Sequence, residues 1–444
     1  MSYFIHTDAE RRAMLEAMGL RDIDELFASI PAELRLRGEL ALPPGMGEME
    51  LTAHLHSLAA RNTPASEAVC FLGGGCYDHF IPAVVDVIAS RSEFYTAYTP
   101  YQAEASQGSL QAFFEYQTLI TQLTGMDVSN ASLYDGGSAA AEAVLMALHA
   151  GNRRRIVTLE SVHPEYRQVL ATYLTNMDVE LVTLDVPAGA VETERLAAAV
   201  DDKTACVLLQ QPNFFGCLEP AAAAAEIAHQ AGAVFVVAVD PLSLGLLKRP
   251  GDYGADIVVA EGQPLGIPMA FGGPFLGIMA CREQFLRRMP GRLVGQTIDR
   301  RGNRCWVLTL QTREQHIRRE KATSNICTNQ GLCALRATVY LALMGPKGMR
   351  TVAELCLQKA HYAADRLAAL PNLSPAFNQP SFKEFVVRVR GRAVDELLER
   401  ARRENIFAGV PLKRWYPHLA DCLLVAVTEK RTKAEIDRLA ELCS

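Results

Sequence analysis

Short apolar runs alternate with amphipathic stretches across the middle of the chain. The apolar runs predict buried β-strands at residues 156–159, 179–184, 205–209, 234–239 and 257–260. The stretches between them predict helices at residues 164–174, 191–200 and 220–230. Strands that alternate with helices are typical of an α/β fold, in which a mostly parallel central sheet is covered by helices on both faces.

Helical patterns prevail at both ends of the chain. Thr7 and Glu10 fit a capping box, and residues 1–62 predict an N-terminal helical arm that is too small to enclose a core. A break with glycine and proline at residues 345–348 follows a helix predicted at 331–344. Beyond it, helices are predicted at 352–370, 393–404 and 433–442, and strands at 384–389 and 422–427. We therefore predict a large domain over residues 63–345 and a smaller C-terminal α/β domain over residues 346–444.

Composition narrows the functional classes. Of the 444 residues, 49% are hydrophobic and 21% are charged, as in an ordinary globular protein. The net charge of −6 argues against nucleic acid as the main partner, and no apolar run reaches the length of a membrane span. The first residues lack the basic and apolar regions of a secretion signal, so we expect a cytoplasmic protein.

Metal-ligand patterns are also missing from the sequence. The eleven cysteines include no Cys-x-x-Cys pair, and most are expected to be small buried hydrophobic residues in a reducing compartment. His54 and His56 are two positions apart on a predicted helix, which places them on different faces. We predict no metal site.

Polar residues follow several of the predicted strands. His163, the segment 211–213, Asp240 and Gln263 all fall where a parallel strand ends, which is where ligands bind on such sheets. A histidine at this position would stack on a flat heterocycle, although a lone histidine is more often structural. Residues 136–138, Gly-Gly-Ser, open a helix and would suit a phosphate, or Ser138 would be a simple N-cap.

The spacing around Asp240 resembles that of enzymes that use pyridoxal phosphate. In such enzymes an Asp at the end of a buried strand pairs with the pyridine nitrogen, and a Lys on the next loop forms the Schiff base. Here no Lys occurs between Arg249 and Glu320. The framework for the cofactor is present, and its covalent anchor is missing.

Two loop stretches carry further candidate chemistry. Residues 93–108 hold several aromatic rings and glutamines, which indicates either loop packing or the wall of a binding site. Residues 311–328 are basic with charges of mixed sign, for which a solvated face is the default interpretation.

Taken together, these motifs resemble the glycine cleavage system P-protein family over essentially the whole chain. The most specific stretches are Tyr98-Thr-Pro-Tyr-Gln, Ser106-Gln-Gly, Tyr134-Asp-Gly-Gly-Ser, His163-Pro-Glu-Tyr, Gly262-Gln-Pro-Leu-Gly and residues 313–328. The resemblance implies the type I pyridoxal-phosphate fold, also called aminotransferase-like. In the family's cofactor-bearing chain, the loop equivalent to Gly262-Gln263 reads His-Lys ahead of a Gly-Gly-Pro. Gln263 therefore stands where the Schiff-base lysine would be.

The resemblance also implies a division of labour between two chains. A sister subunit would carry pyridoxal phosphate, decarboxylate glycine and pass the aminomethyl group to the lipoyl arm of the H-protein. This chain would hold no catalytic residue and no covalently bound cofactor. Its degenerate pocket would comprise Gly136, Gly137, Ser138, His163, Asp240 and Gln263. Residues contributed to the sister subunit's site would be Tyr98, Thr99, Tyr101, Gln102, Thr323, Ser324 and Asn325.

Two alternatives stay open at this point. One is a free-standing pyridoxal-phosphate enzyme that uses Lys248 or Lys321, although the first lies too near Asp240 and the second too far from it. The other is a subunit that serves only as a scaffold.

Overall fold

The computed structural model describes residues 5–36, 38 and 40–444. The chain separates into two compact units, Met1–Thr63 and Pro64–Ser444. The α-helices are α1 Asp8–Ala17, α2 Glu48–Ala59, α3 Ala83–Ala89, α4 Ser92–Tyr95, α5 Gln107–Thr124, α6 Gly136–Leu148, α7 Pro164–Leu174, α8 Thr193–Ala199, α9 Ala221–Gln230, α10 Gln315–Arg318, α11 Gly331–Ala368, α12 Val394–Arg403 and α13 Lys433–Cys443. The strands are β1 Val69–Cys70, β2 Val128–Ser129, β3 Arg155–Leu159, β4 Glu180–Leu184, β5 Thr204–Gln211, β6 Val234–Val239, β7 Ile257–Glu261, β8 Gly277–Cys281, β9 Leu293–Ile298, β10 Arg304–Thr309, β11 Leu373–Pro375, β12 Glu384–Val389, β13 Ile406–Phe407, β14 Val410–Pro411 and β15 Cys422–Ala426.

The first unit is a pair of short helices with little interior. The predicted capping box is confirmed, because Thr7 accepts from the Glu10 N–H while the Glu10 carboxylate accepts from the Thr7 N–H. Among the described residues of this unit, Leu15 alone is buried. The helices therefore keep most of their apolar side chains in contact with solvent.

A seven-stranded sheet forms the centre of the second unit, in the order β2-β8-β7-β6-β5-β3-β4. Strands β4, β3, β5, β6 and β7 run parallel, and β8 is antiparallel to both of its neighbours. The predicted α/β fold with a mostly parallel sheet is confirmed. The side chains of β6 and β7 are buried on both faces of the sheet, apart from one at the start of β6. Continuous apolar runs suit such inner strands, because helices cover both faces of a mostly parallel sheet.

The register of this sheet places the strand ends side by side. Val239 pairs with Ala260, so Asp240 and Glu261 follow at the same level of neighbouring strands. The predicted strands and helices of this region agree with the observed ones to within a few residues. The antiparallel hairpin of β9 and β10 was not predicted, because its outer half is exposed and carries no continuous apolar run.

A second core lies around a four-stranded antiparallel sheet, in the order β11-β12-β15-β14. Helix α11 bends at Gly345, whose φ of 55° and ψ of −177° are not helical, at the position where the sequence predicts a break. The boundaries of the three predicted parts at residues 62 and 345 stay a prediction. In the described part of the chain, no helix is long and apolar enough to cross a membrane.

The two sheets approach each other closely at Gly216. Its φ is +82°, and a Cβ atom there would lie 2.0 Å from the carbonyl oxygen of Glu384. Gly216→Ala should therefore lower the free energy of unfolding by about 2–4 kcal/mol, through strain and steric clash. Urea unfolding measures this. Gly151→Ala is the control, because nothing lies within 4 Å of its added Cβ. Equal midpoints for the two variants would contradict the close approach.

Candidate functional site

A small cavity lies at the carboxyl ends of the parallel strands. His163 lines it beyond β3, Asp240 beyond β6, and Glu261 at the end of β7. Its volume is about 30 Å³. That volume holds roughly one water molecule, whereas sites for cofactors and other small molecules usually measure about 300–1,000 Å³. Side chains of the protein occupy the rest of the space.

Asp240 is paired with a lysine from the second sheet. The Nζ atom of Lys383 lies 2.8 Å from the Asp240 Oδ2. The same Nζ lies 3.0 Å from the His79 Nε2 and 3.5 Å from the centre of the Tyr77 ring. Lys383 is only 1% exposed. The carboxylate that would pair with a pyridine nitrogen therefore has a cation already bound to it.

The ring of His163 is stacked against a tyrosine. The Tyr166 ring lies 4.6 Å from the His163 ring, centre to centre, and the two planes differ by 17°. The His163 Nε2 lies 2.7 Å from the Gly74 carbonyl oxygen, and its Nδ1 accepts from the Glu165 N–H. Burial lowers the pKa of His163, so the imidazole is neutral at pH 7. Tyr166 thus covers a ring face that a flat heterocycle would use.

Two carboxylates occupy the N-terminus of helix α6. The N-cap is Asp135, which accepts from the Ser138 N–H at 2.8 Å, so the interpretation of Ser138 as N-cap was wrong. Glu261 accepts from the N–H groups of Gly136, Gln263 and Leu276 at 2.9–3.0 Å. Burial raises the pKa of Glu261 to about 7, although these three donors oppose the rise. Of the N–H donors at the start of α6 that would suit a phosphate, that of Gly136 already serves Glu261 and that of Ser138 serves Asp135.

Gln263 is fully engaged within the protein. Its side-chain oxygen accepts from the Tyr77 N–H at 2.9 Å, and its Nε2 donates to the carbonyls of Tyr77 and Ile267 at 3.0 and 2.8 Å. The residue is 1% exposed. A lysine has no acceptor for the Tyr77 N–H, so glutamine here stabilises the backbone in a way that a Schiff-base lysine does not.

Of the residues predicted for a degenerate pocket, His163 and Asp240 line the cavity, and Gly136 and Gln263 donate to its Glu261. Gly137 and Ser138 do not line it. The space left among these side chains does not fit the cofactor.

Tyr166, Lys383 and Glu261 contact His163, Asp240 and Gly136, which are the residues expected to meet the cofactor's ring, pyridine nitrogen and phosphate. Sequence analysis singled out none of the three. The sequence did contain a signal for two of them, since Glu261 ends an apolar strand and Tyr166 belongs to the specific motif that begins at His163. Lys383 had none, because it is far from Asp240 in sequence.

Next to Lys383 lies a cluster of His79, Cys356 and Glu429 with ligand atoms within 4.8 Å of one another, in which Glu429 is partly buried and the other two are buried. The His79 Nδ1 lies 2.6 Å from Glu429, and the Cys356 Sγ lies 3.5 Å from it. Burial favours the neutral acid, but the hydrogen bond and charge of His79 and the backbone N–H of Phe80 together outweigh it and lower the pKa of Glu429 to about 2. The Lys383 ammonium beside His79 disfavours a metal cation here. We interpret the cluster as an internal polar network.

The stretches predicted to serve a sister subunit lie at the surface. Tyr98, Tyr101, Gln102, Thr323 and Asn325 are exposed, and Thr99 and Ser324 are partly buried. Their roles stay predictions.

The alternative lysines are exposed as well. Lys248 and Lys321 both lie at the surface, and neither lines the cavity. The structure thus gives no support to a Schiff base on either of them.

Comparisons with known proteins point to one family. A sequence profile described as "Glycine cleavage system P-protein" matches residues 1–443. A probable glycine dehydrogenase (decarboxylating) subunit 1 from Carboxydothermus hydrogenoformans is 55% identical over 442 residues, which cover 100% of this chain and 99% of that protein. The protein of the same description from Desulforamulus reducens is 54% identical over 440 residues, 99% of this chain and 98% of that one.

Solved structures agree. The crystal structure of a glycine decarboxylase (P-protein) of the glycine cleavage system, in inhibitor-bound form, matches with a TM-score of 0.90 and 43% identity, over 100% of this chain and 99% of that one. A sphingosine-1-phosphate lyase from Burkholderia pseudomallei matches with a TM-score of 0.66 and 15% identity over 93% of each chain, which indicates a shared fold alone.

Glu142 provides a test of burial beside the site. It lies on helix α6 with 3% exposure, and burial raises its pKa to about 7 against an opposing hydrogen bond from Ser324. The raised pKa means that the neutral acid stabilises the fold below about pH 4.5. Between about pH 4.5 and 7 the carboxyl is ionised in the unfolded chain and still protonated in the folded chain. The free energy of unfolding therefore falls, by about 3 kcal/mol over the whole range. Above about pH 7 the loss is complete.

Glu142→Gln should remove this part of the pH dependence. The difference in unfolding free energy between the variant and the wild type should shift in favour of the variant between pH 5 and pH 8, as followed by urea unfolding. Glu226→Gln is the control, because Glu226 is exposed on α9. Parallel profiles for the wild type and Glu142→Gln would show that Glu142 is ionised throughout.

Proposed function

Since the chain belongs to the glycine cleavage system P-protein family, we propose that it is the subunit of glycine dehydrogenase (decarboxylating) that carries no cofactor. In this proposal the complex decarboxylates glycine and passes the aminomethyl group to the lipoyl arm of the H-protein. Pyridoxal phosphate is bound by the sister subunit, and this chain supports that site. In this proposal the complex acts in the cytoplasm.

One observation carries the proposal: side chains of this protein occupy the cavity and bind the groups that a cofactor would use. Tyr166 stacks on His163, Lys383 binds Asp240, and Glu261 and Asp135 accept from the Gly136 and Ser138 N–H groups at the start of α6. With Gln263 in place of the lysine, this chain offers neither room nor an anchor for the cofactor. This supports a role for the chain that depends on another subunit, and it argues against a free-standing pyridoxal-phosphate enzyme.

The exposed apolar surface of the first unit supports the need for a partner. The following large apolar side chains of this unit are each more than two-fifths exposed: Ile5, Met14, Met18, Ile23, Leu26, Phe27, Ile30, Leu34, Leu36, Leu40, Leu42, Met46, Met49, Leu51, Leu55 and Leu58. Apolar surface on this scale marks a protein interface, and obligate interfaces are the largest and most apolar. The relatives described as "subunit 1" support a second subunit as the partner.

We also propose that two surface stretches reach the sister subunit's site. Tyr98, Thr99, Tyr101 and Gln102 would shape its mouth, and residues 323–325 would offer hydroxyl and amide groups to an anion. A subunit that serves only as a scaffold would not use them.

Co-expression with the sister subunit tests the proposal. The two chains should copurify through size exclusion, and only the complex should catalyse exchange of carbon dioxide into glycine. Borohydride reduction followed by peptide mapping should place the phosphopyridoxyl group on a lysine of the sister subunit. A stoichiometric label on any lysine of this chain, or full exchange activity of the sister subunit alone, would refute the proposal.

A further inference from the structure

Arg292 is a buried cation with no anion beside it. The residue precedes β9 and is 1% exposed. Its Nη1 donates to Thr328 and Asn329 at 3.0 Å each, and its Nη2 donates to the Cys327 carbonyl at 3.1 Å and to the Tyr101 hydroxyl at 3.2 Å. In the part of the chain that the structure describes, no carboxylate oxygen lies within 4.0 Å of its nitrogens. A charge removed from water and met only by neutral acceptors is unfavourable.

One edge of the guanidinium has spare capacity. The Nε of Arg292 is buried and has no hydrogen-bond partner. Nε and Nη2 form one edge of the planar group, and a carboxylate or phosphate binds such an edge through two parallel hydrogen bonds. Nη2 of this edge also donates to the hydroxyl of Tyr101, whose ring centre lies 5.5 Å from the Arg292 Cζ. Tyr101 is 52% exposed, so the buried guanidinium is in contact with a residue at the surface.

The surroundings of Tyr101 favour anions. Its ring lies 5.8 Å from the His316 ring, centre to centre. His316 belongs to residues 311–321, which carry four Arg or Lys residues and two Glu residues. One of these acids, Glu314, is buried and lies 3.6 Å from His316. The net positive charge of this segment favours negative over positive ligands.

We propose that Arg292 is the receptor for a small oxyanion, a carboxylate or a phosphate group, which replaces the Tyr101 hydroxyl on the Nε–Nη2 edge. The inference rests on the proposed function, because the complex would handle two such groups, the carboxylate of glycine and the phosphate of the cofactor on the sister subunit. Arg292 lies outside the cavity described above. Its hydrogen bonds join Tyr101 to residues 327–329, which follow the segment 323–325.

Titration of the isolated chain tests the receptor without the partner. The probes are sodium acetate and inorganic phosphate, at constant ionic strength, and the readout is the melting temperature. At least one probe should raise the melting temperature of the wild type in a saturable way. The rise should disappear in Arg292→Lys, which keeps the charge and loses the two-point edge. Arg304→Lys is the control for an exposed arginine, and its rise should equal that of the wild type. A rise that persists in Arg292→Lys, or none in the wild type, would overturn the proposal.

The complex identifies the source of the oxyanion. If the group is the carboxylate of glycine, Arg292→Lys should raise the KM for glycine by roughly tenfold or more, and inhibition by methylamine should be unchanged. If the group is the phosphate, the Kd for pyridoxal phosphate should rise by a similar factor, and the Kd for pyridoxal should not change. A complex that assembles, turns over and keeps both constants would overturn the proposal.

Tyr101→Phe keeps the test decisive if Arg292→Lys does not fold. Removing the competing hydroxyl should tighten the same constant by about threefold, the value of one neutral hydrogen bond. Tyr95→Phe is the control, because Tyr95 ends α4 nearby in the sequence and is 68% exposed. Unchanged constants in Tyr101→Phe would then overturn the inference. If no glycine exchange occurs with the wild-type complex, the proposed function fails, and the titration of the isolated chain still decides the inference.

Discussion

The ion pair between Lys383 and Asp240 joins the parts of the structure on which the account depends. Asp240 ends β6 of the large sheet, Lys383 precedes β12 of the second sheet, and the distance between their charged atoms is 2.8 Å. The lysine also contacts His79 and Tyr77 on the segment that runs between the sheets. Removing one partner of such a buried pair costs about 3–5 kcal/mol, because the other charge is left without compensation. A ligand that bound Asp240 would have to displace the lysine against this energy.

Other side chains around the cavity are also held by partners within the chain. Gln263 accepts from the Tyr77 N–H and donates to the Tyr77 carbonyl, and Glu384 accepts from the Tyr77 hydroxyl at 2.8 Å. Burial raises the pKa of Glu384 to about 7, since Lys383 and the hydrogen bonds only partly oppose desolvation. Each group is satisfied by another within the chain. The side chains around the cavity therefore join the two sheets, which supports the proposal that this chain carries no cofactor and serves the site of a sister subunit.

The sequence predicted the fold well where burial leaves a periodic signal. The inner strands β6 and β7 and the helix α7 were found because continuous apolar runs and regular apolar spacing report burial directly. The motifs also located His163, Asp240 and Gln263. Lys383 and Arg292 escaped prediction because their roles arise from contacts with residues far away in the chain. A single lysine or arginine in a sequence is usually a solvated charge, so only the fold reveals that these two are buried.

The measurement that tests the central claim most directly is the titration of the isolated wild-type chain with pyridoxal phosphate, followed by calorimetry and by the cofactor's absorbance. The account predicts that, below about 1 mM, no saturable signal depends on Asp240, since Tyr166, Lys383 and Glu261 already contact the residues expected to bind the ring, nitrogen and phosphate. Gln263→Lys should behave in the same way, because an added lysine does not move Tyr166, Lys383 or Glu261. Binding of one equivalent with a Kd in the micromolar range, abolished by Asp240→Ala, would contradict the account.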